Sequence, residues 1–392
     1  MICPHFGTCG GCQIQDQSYP DQLSGKTARL AALLGPVLEG TGVDVRPMTG
    51  MTVPAGAAPW RFRHKAAFVF GAGPRGRGLV MGHYAAGSRT VVPITECPVH
   101  AARANRIAFA LRDELVRAHV PAAGAALEGI LRHLIVRTTA DEREAVAMLV
   151  VTRNDKSLRA PIRRFLASGE KPDGLLLNVH YKPGPFMVGR ETIRLDGRAH
   201  VREDRLGTPF LVSPIAFFQT NPDQAAVLVD EVIEGAIGDA PPDRTLVLDL
   251  YAGSGLFALP LAVRGCTVTA VEGNRQATSD AEANARLNRL PDGRLRVLSA
   301  DVEQALGRLS RARFDAVVMD PPRAGCPDQV LDAVFGDLAP PRAVYVSCNP
   351  DALAAELPRI VDHGYAVVRV QPVDMFPHTD HIETVVTLRR RD

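Results

Sequence analysis

The C-terminal half of the chain alternates between short apolar runs and helix-forming stretches, and this order limits the fold more than any other feature. From residue 214 to residue 392, runs such as TLVLDLY and TVTAVEG are followed by stretches with helical character. Such alternation is typical of a doubly wound, mainly parallel α/β sheet that binds ligands at the carboxyl ends of its strands. The last two runs, YAVVRVQPVD and IETVVTLRR, have no helix between them. We therefore expect a Rossmann-like domain over 214–392 with an antiparallel last strand.

Residues 1–213 have a different pattern, which predicts a separate α+β domain. HKAAFVFGAGPRGRGLVMGHY is typical of a hairpin with a glycine-rich turn, and ILRHLIVRTTADEREAVAMLVVT is typical of two strands around an acidic turn. The stretch DQLSGKTARLAALLG, residues 21–35, predicts an amphipathic helix that ends at Gly35-Pro36. This helix is a candidate to dock on the C-terminal domain.

Composition and charge exclude some classes of protein. No stretch approaches the ~18 uncharged apolar residues of a membrane span, and the N-terminus MICPHFGTCG has no signal-peptide pattern. We therefore expect a cytoplasmic protein with no membrane partner. The net charge is only +2, but basic residues cluster between Trp60 and Arg106, where Glu96 is the single acid. Such a cluster fits a nucleic-acid phosphate backbone or a solvated basic face. Its members are Arg61, Arg63, Lys65, Arg75, Arg77, Arg89, Arg103 and Arg106.

A glycine-rich turn after the first strand of the C-terminal domain predicts a nucleoside-type ligand. In LDLYAGSGLFA, Gly253, Gly255 and Ala258 fit the pattern G-x-G-x-x-[GA]. Glu272 ends the second strand 19 residues after Gly253, the spacing at which an acid meets ribose hydroxyls. Strand, glycine turn, helix, strand and acid follow in order, so a turn that merely requires glycine is the weaker explanation.

Three aspartates help to choose between NAD and S-adenosylmethionine (SAM), which both use this geometry. Asp249 precedes the glycines, where a carboxylate suits a cationic amino acid better than a pyrophosphate. Asp320 ends the fourth strand in MDPPR, and two prolines fix the chain after it. Asp301 ends the third strand and either faces an adenine amino group or is a turn residue. The pattern favours SAM as the cofactor.

Cys348, in YVSCNP, lies between a buried strand and a helix. The dipole of a following helix favours the thiolate, so we expect a lowered pKa for this thiol and covalent catalysis. Carbon 5 of a pyrimidine is too weakly nucleophilic to take a methyl group unaided, whereas thiolate addition at C6 makes C5 enolate-like. A base must then remove the C5 proton, and Glu383 is a stronger candidate than His378 or His381. A buried structural cysteine is the competing interpretation.

Four cysteines indicate a separate metal site. Cys3, Cys9 and Cys12 follow the spacing C-x5-C-x2-C, and Cys97 offers a fourth soft ligand. Four thiolates bind structural zinc or an iron–sulfur cluster, and the spacing alone does not decide between them. The odd total of seven cysteines argues against a disulfide framework.

Taken together, the motifs SCNP, DPPRAG, DMFPHTDHIE, FFQTNP and LDLYAGSG resemble the RNA uracil-5-methyltransferase family over nearly the whole chain. The resemblance implies a class I SAM-dependent methyltransferase fold, with Cys348 as the nucleophile and Glu383 as the proton-abstracting base. It also implies a set of side chains around SAM and the target base: Gln219, Tyr251, Glu272 and Asp320.

The motif CPHFGTCGGCQIQ is similar to the opening of the 23S rRNA branch of that family. The resemblance implies that Cys3, Cys9, Cys12 and Cys97 hold a structural 4Fe-4S cluster, and that the RNA partner is 23S rRNA. Longer members carry a TRAM domain before the cysteines, where this chain starts. We expect a monomer. Two alternatives stay open: the same chemistry on a tRNA T-loop uridine, and a non-catalytic iron–sulfur factor that binds or folds RNA.

Overall fold

The computed structural model describes residues 2–73, 78–124, 126–183 and 187–391 and divides the chain into two compact units. Unit 1 consists of Met1–Asp16, Ala58–Glu203 and Val212–Ile215. Unit 2 consists of Gln17–Ala57, Asp204–Leu211 and Ala216–Asp392. The stretch 17–57 therefore belongs to the same unit as the C-terminal half, although most of unit 1 follows it in the sequence.

The helices and strands are numbered in chain order. The helices are α1 Tyr19–Leu38, α2 Ala102–Arg117, α3 Arg159–Leu166, α4 Pro222–Ile237, α5 Ala258–Val263, α6 Arg275–Leu287, α7 Val302–Leu309, α8 Asp328–Leu331 and α9 Pro350–Asp362. The strands are β1 Lys65–Ala72, β2 Leu79–Tyr84, β3 Val91–Pro93, β4 Leu131–Thr138, β5 Ala145–Val151, β6 Gly174–Val179, β7 Glu191–Gly197, β8 Val201–Glu203, β9 Phe210–Val212, β10 Leu246–Leu250, β11 Thr267–Glu272, β12 Leu295–Ser299, β13 Ala316–Met319, β14 Arg342–Ser347, β15 Tyr365–Val373 and β16 Glu383–Arg390. Over the described ranges, no helix combines the length and apolar character needed to cross a membrane.

Unit 1 is built on a seven-stranded sheet in the order β3-β2-β1-β4-β5-β6-β7. β1 pairs antiparallel with β2, and β4 pairs antiparallel with β5, so both hairpins that the sequence predicts are present. β6 runs parallel to β5, and α3 lies in the crossover that a parallel pair requires. The sequence pattern did not predict α2, which buries Ile107, Leu111 and Leu115 at helical spacing.

Unit 2 contains the doubly wound sheet that the sequence predicts. Its strand order is β12-β11-β10-β13-β14-β16-β15, and the strands from β10 to β14 are parallel. β16 runs antiparallel to both β14 and β15, which confirms the antiparallel last strand. The order reverses between β10 and β13. Sheets of this kind bind their ligands beside such a switch point, at the carboxyl ends of the strands.

Helix α1 packs against α9 within unit 2 and is longer than the sequence predicts. It starts at Tyr19 and continues through Pro36 to Leu38, rather than ending at Gly35. The side chains of Leu34 and Leu38 are both buried in the core of unit 2. Burial of this last turn outweighs the helix-breaking tendency of glycine and proline.

Candidate active site and cysteine cavity

The residues expected to take part in catalysis lie at the carboxyl-end edge of the unit 2 sheet. Asp320 directly follows β13, and Cys348 directly follows β14. β16 runs in the opposite direction and pairs Thr384 with Ser347. The next pair in that register is Glu383 with Cys348, so the first residue of β16 lies at the same edge as the thiol.

Asp320 and Glu383 form a pair of carboxyl groups with raised pKa values. Glu383 is 3% exposed, and burial, with the charge of Asp320 second, raises its pKa well above the usual range. Burial raises the pKa of Asp320 to about 7. The rise at Glu383 agrees with the sequence prediction, because a buried carboxyl that ionises reluctantly suits proton abstraction.

The thiol of Cys348 has a raised pKa, and the prediction of a lowered one was wrong. Burial, followed by the negative charges of Glu383 and Asp320, raises this pKa to about 11. A backbone hydrogen bond at Cys348 and the positive charge of Arg323 lower this pKa, but they do not offset the rise. Cys348 is therefore a protonated thiol at neutral pH in the ligand-free site.

The glycine turn after β10 is held in place by Glu272. The N–H of Gly253 donates to one carboxylate oxygen of Glu272 at 2.9 Å, and the N–H of Asn274 donates to the other at 2.6 Å. Gly253 and Gly255 have φ values of 55° and 92°, which glycine adopts without strain. Glu272 is thus a fixed acceptor at the end of β11, where an acid that meets ribose hydroxyls is expected.

Asp249 is fully buried beneath this turn. Neither carboxylate oxygen makes a hydrogen bond of standard geometry within the described structure. Burial and then the charge of Asp320 raise the pKa of Asp249 well above its usual range, while the Ala258 N–H partly offsets the rise. A buried carboxyl without a strong partner indicates a site that a cationic ligand would stabilise.

The other predicted ligands of SAM also lie in unit 2. Gln219 is mostly buried, shortly before α4. Tyr251 is partly buried, with its hydroxyl 3.9 Å from the sulfur of Cys326. Asp301 is exposed at the start of α7, where it accepts a hydrogen bond from Gln304 at 3.5 Å. The described contacts do not connect these three side chains to Cys348.

Sequence reasoning missed the residues that hold the segment before Glu383. The Nζ of Lys26, in α1, donates to Asp374 at 2.6 Å, and the hydroxyl of Tyr19 donates to the second oxygen of that carboxylate at 2.9 Å. Lys26 and Asp374 are 4% and 0% exposed. No local pattern predicts this pair, because its members are 348 residues apart.

The two histidines that rival Glu383 are engaged in packing. His378 is fully buried with a φ of 66°, and its backbone N–H donates to the Gln22 side chain of α1 at 2.8 Å. The ring of His381 packs edge-on against Phe376 at 5.8 Å. These contacts give both histidines a structural role, which favours Glu383 as the base.

Glu356, in α9, organises the loop that follows Asp320 and was not predicted either. One carboxylate oxygen accepts the N–H of Cys326 at 2.8 Å, and the other accepts the hydroxyl of Tyr345. Gly325 has a φ of 84°, and a Cβ there would overlap the Glu356 carboxylate. The glycine of the DPPRAG motif was the only sequence signal for this arrangement.

In unit 1, the four predicted metal ligands line one cavity of about 600 Å³. They are free thiols, and burial raises the pKa values of Cys12 and Cys97 to about 11 and about 12. The N–H of Gly10 donates to the carbonyl of Tyr84 at 2.9 Å, which attaches the N-terminal segment to β2. The lining cysteines are Cys3, Cys9, Cys12 and Cys97.

Two histidines that the sequence did not single out line the same cavity. His100 is 3% exposed, and burial lowers its pKa well below the usual range. Burial lowers the pKa of His83 to about 4, with the Arg63 guanidinium as the second cause. Both imidazoles are therefore neutral near pH 7.

The basic residues between positions 60 and 106 serve different purposes, so the expected phosphate-binding surface is smaller than their number suggests. Two of them, Arg75 and Arg77, lie outside the described residues. Of the others, Arg61 and Arg89 are exposed, whereas Arg63 and Lys65 are partly buried. Arg103 and Arg106 form ion pairs at 2.9 and 3.2 Å.

Comparison with known proteins agrees with this site. Residues 214–391 match the family model described as tRNA (Uracil-5-)-methyltransferase. An uncharacterised RNA methyltransferase of Gloeobacter violaceus is 36% identical over 406 residues, which cover 99% of this chain and 82% of the relative. Another from Caldanaerobacter subterraneus is 31% identical, over 99% of this chain and 84% of the relative.

A solved structure is similar over most of both units. It is the Pyrococcus abyssi tRNA (uracil-54, C5)-methyltransferase in complex with S-adenosyl-L-homocysteine, with a TM-score of 0.74 and 25% sequence identity. The match covers 97% of this chain and 86% of that one. The chain therefore belongs to the RNA uracil-5-methyltransferase family, whose members use SAM to methylate RNA.

Proposed function

We propose that this enzyme methylates C5 of a uridine in 23S rRNA, with Cys348 as the nucleophile and Glu383 as the base. The observation that carries the proposal is the convergence of a thiol and two carboxyl groups, Asp320 and Glu383, at the carboxyl-end edge of the unit 2 sheet. A non-catalytic RNA-binding factor would not require this arrangement, and the chain belongs to a family of enzymes.

Cys348 provides covalent activation. Uracil C5 is a weak nucleophile, and a bond from Sγ to C6 moves electron density through the ring to C5. The pKa of about 11 means that the thiol is protonated before the reaction, and it gives its proton to the neighbouring Asp320 carboxylate as the Sγ–C6 bond forms. A protonated resting thiol also resists oxidation and unwanted alkylation, since the thiolate is the reactive form.

SAM supplies a methyl group bound to a positively charged sulfur. The chain offers it a fitting site: a glycine turn, a fixed acceptor in Glu272, and the buried Asp249 without a strong hydrogen-bond partner. Because Asp249 and Asp320 are negative when ionised, both suit the cationic end of the molecule. The proposed set around SAM and the target base is completed by Gln219, Tyr251, Gly253, Gly255 and Asp301.

Glu383 completes the turnover. Once C5 carries the methyl group, its hydrogen must leave as a proton before the cysteine can be released. The carboxylate of Glu383 takes that proton, the C5–C6 double bond forms again, and Sγ leaves C6. Its raised pKa brings this group closer to the basicity that proton abstraction from carbon requires.

We also propose that Cys3, Cys9, Cys12 and Cys97 hold a structural 4Fe-4S cluster. All four line one cavity. A single tetrahedral zinc ion, with Zn–S distances of ~2.3 Å, would bring its four sulfurs within about 4 Å of one another. Among the described residues, the four sulfurs do not form a group within 4.8 Å, which supports a larger inorganic group. The cluster would tie the N-terminal segment to the sheet of unit 1.

The choice of RNA rests on the N-terminal cysteine motif, which resembles the rRNA branch. A second candidate is a uridine of the tRNA T-loop, which the similarity to the Pyrococcus abyssi tRNA (uracil-54, C5)-methyltransferase favours. Nucleoside mass spectrometry on purified 23S rRNA and on bulk tRNA, from cells with and without the gene, distinguishes the two. Loss of 5-methyluridine from 23S rRNA alone is the expected result, and loss from tRNA alone would move the proposal to tRNA.

The mechanism is tested by complementing the deletion with cysteine variants. Cys348→Ala should restore no 5-methyluridine. Cys266→Ala is the matched control, because Cys266 is a buried cysteine before β11, at the opposite edge of the same sheet. Methylation by the Cys348→Ala variant at the level of the Cys266→Ala variant would exclude the covalent route.

A further inference from the structure

The cysteine cavity contains a second and more compact set of ligand atoms. His83, Cys97 and His100 each offer one such atom, and the three atoms lie within 4.8 Å of one another. All three residues line the cavity. The set shares Cys97 with the four cysteines, but its two histidines have no part in methyl transfer or in the proposed cluster.

The imidazole nitrogens of this set are buried and available. Nε2 of His83 and Nδ1 of His100 have no hydrogen-bond partner in the described structure. The other nitrogen of His83 is hydrogen-bonded to the backbone of Ala67. Histidines that bind metals usually donate their second ring N–H to a carbonyl or carboxylate, which fixes the tautomer and orients the free lone pair. His83 already has this arrangement.

Aromatic packing fixes the orientation of both rings. The ring of Phe68 stacks on His83 with centroids 5.3 Å apart, and His100 meets Phe68 edge-on at 5.1 Å. The two imidazoles meet edge-on at 5.2 Å. Cys97 and His100 share one turn, in which the N–H of His100 donates to the carbonyl of Cys97 at 3.0 Å. The three ligand atoms therefore need little reorganisation to meet one ion.

We propose that, when the four-cysteine site holds no cluster, His83, Cys97 and His100 bind one divalent transition-metal ion of the zinc type. Two imidazoles and one thiolate are a ligand set that zinc accepts, with the fourth position open to water or to another cysteine. Cys97 belongs to both sets, so the ion and the cluster exclude each other. The guanidinium of Arg63 lies near the site, and the charge of the Cys97 thiolate is therefore needed to offset its repulsion of a cation.

Cobalt is the probe that tests this site. The full-length chain, freed of iron by chelation under reducing and anaerobic conditions, is titrated with Co²⁺, and the thiolate-to-cobalt absorption band is recorded. We expect one equivalent to bind, and Zn²⁺ to displace it. Absence of the band in the unaltered chain would overturn the proposal. The readout is spectroscopic, so it is independent of the methyltransferase activity.

Variants show which residues hold the ion. The triple variant Cys3→Ser, Cys9→Ser, Cys12→Ser should keep the band, and Cys97→Ser should lose it. Removing even an outer-sphere partner of a metal ligand weakens binding ~10–100-fold, so His83→Gln and His100→Gln should weaken Co²⁺ binding at least about tenfold. His5→Ala is the matched control, because His5 lines the same cavity outside the group.

Two results would contradict the assignment. Loss of the band in the triple variant would show that the N-terminal cysteines hold the ion. Binding by His83→Gln as tight as in His5→Ala would show that His83 is not a ligand of the ion. Circular dichroism confirms that each variant is folded, and His83→Gln decides alone if the fully buried His100 does not tolerate substitution.

Discussion

The pH dependence of alkylation at Cys348 tests the electrostatics of the site. With a pKa of about 11, roughly 0.1% of this thiol is ionised at pH 8, whereas an unperturbed thiol with a pKa of ~8.5 is about 24% ionised. Since the thiolate is the species that reacts, Cys348 should react roughly 200-fold more slowly than a model thiol at equal intrinsic reactivity. Its rate should rise about tenfold per pH unit from pH 7 to pH 10.

Substitution of the acidic neighbours of Cys348 should lower the pKa of its thiol. The charges of Glu383 and Asp320 both raise the pKa of the thiol. Glu383→Gln and Asp320→Asn should each lower the apparent pKa, by about one unit if each charge contributes ~1.4 kcal/mol. The midpoint should remain above that of a model thiol, because burial is the largest cause of the rise.

The assay is short-pulse labelling of the ligand-free enzyme with iodoacetamide, followed by mass spectrometry of the peptide that contains Cys348. Cys348→Ser confirms the assignment of that peptide. A rate that levels off below pH 9 would refute the reasoning, because it would mean that the helix end governs this thiol after all. Unchanged midpoints in both acid variants would leave burial as the only cause.

Three further substitutions test the base, the anchor of the loop before it and the loop after Asp320. Glu383→Gln should lower turnover by ~10²–10⁴-fold and accumulate a methylated enzyme–RNA adduct on denaturing gels, and normal turnover would exclude its role as the base. Lys26→Met leaves the buried Asp374 without its cationic partner and should lower the free energy of unfolding by about 3–5 kcal/mol in denaturant titrations. In the same helix, Arg29→Ala removes an exposed pair and should lower it by less than about 1 kcal/mol, and equal losses would contradict this account. Gly325→Ala should destabilise by at least about 1–2 kcal/mol because of its left-handed backbone, whereas Gly307→Ala, in an open position of α7, should stabilise by about 0.5–1 kcal/mol. Thermal melts compare the two, and a neutral Gly325→Ala would show that the loop adapts.

Much of the unit 2 sheet was predictable because its signals are local. Each apolar run is long enough for one buried strand, and the acid at Glu272 follows the glycines at a fixed spacing. The insertion of β16 between β14 and β15 is not local. That insertion brings Glu383 to the same end of the sheet as Cys348, and the hydrophobic pattern alone does not determine it.

The errors have a common physical origin in long-range contacts. The lowered pKa predicted for Cys348 used only the adjacent helix, whereas the dominant effects are burial and charges that lie 28 and 35 residues away in the sequence. In the sequence, Glu356 and Lys26 look like ordinary polar residues of amphipathic helices. Their significance becomes visible only when tertiary structure brings Tyr345 to one and Asp374 to the other.

The raised pKa values at the sheet edge also predict a linkage between SAM binding and protons. Asp320 lies close enough to both Asp249 and Glu383 for its charge to raise their pKa values, and its own pKa is raised as well. A cation bound beside them favours the carboxylate forms and lowers these pKa values. Binding should therefore release protons, and the affinity for SAM should increase as the pH rises from 6 to 8, through the pKa of about 7 at Asp320.

S-adenosylhomocysteine is the matched ligand for this test, because it lacks the positive charge on sulfur. Calorimetry at pH 6, 7 and 8, in buffers with different ionisation enthalpies, measures both the affinity and the number of protons released. SAM should release more protons than S-adenosylhomocysteine, and Asp320→Asn should reduce that difference. If both ligands released the same number of protons, the charge of the sulfonium would not be what these buried carboxyl groups recognise.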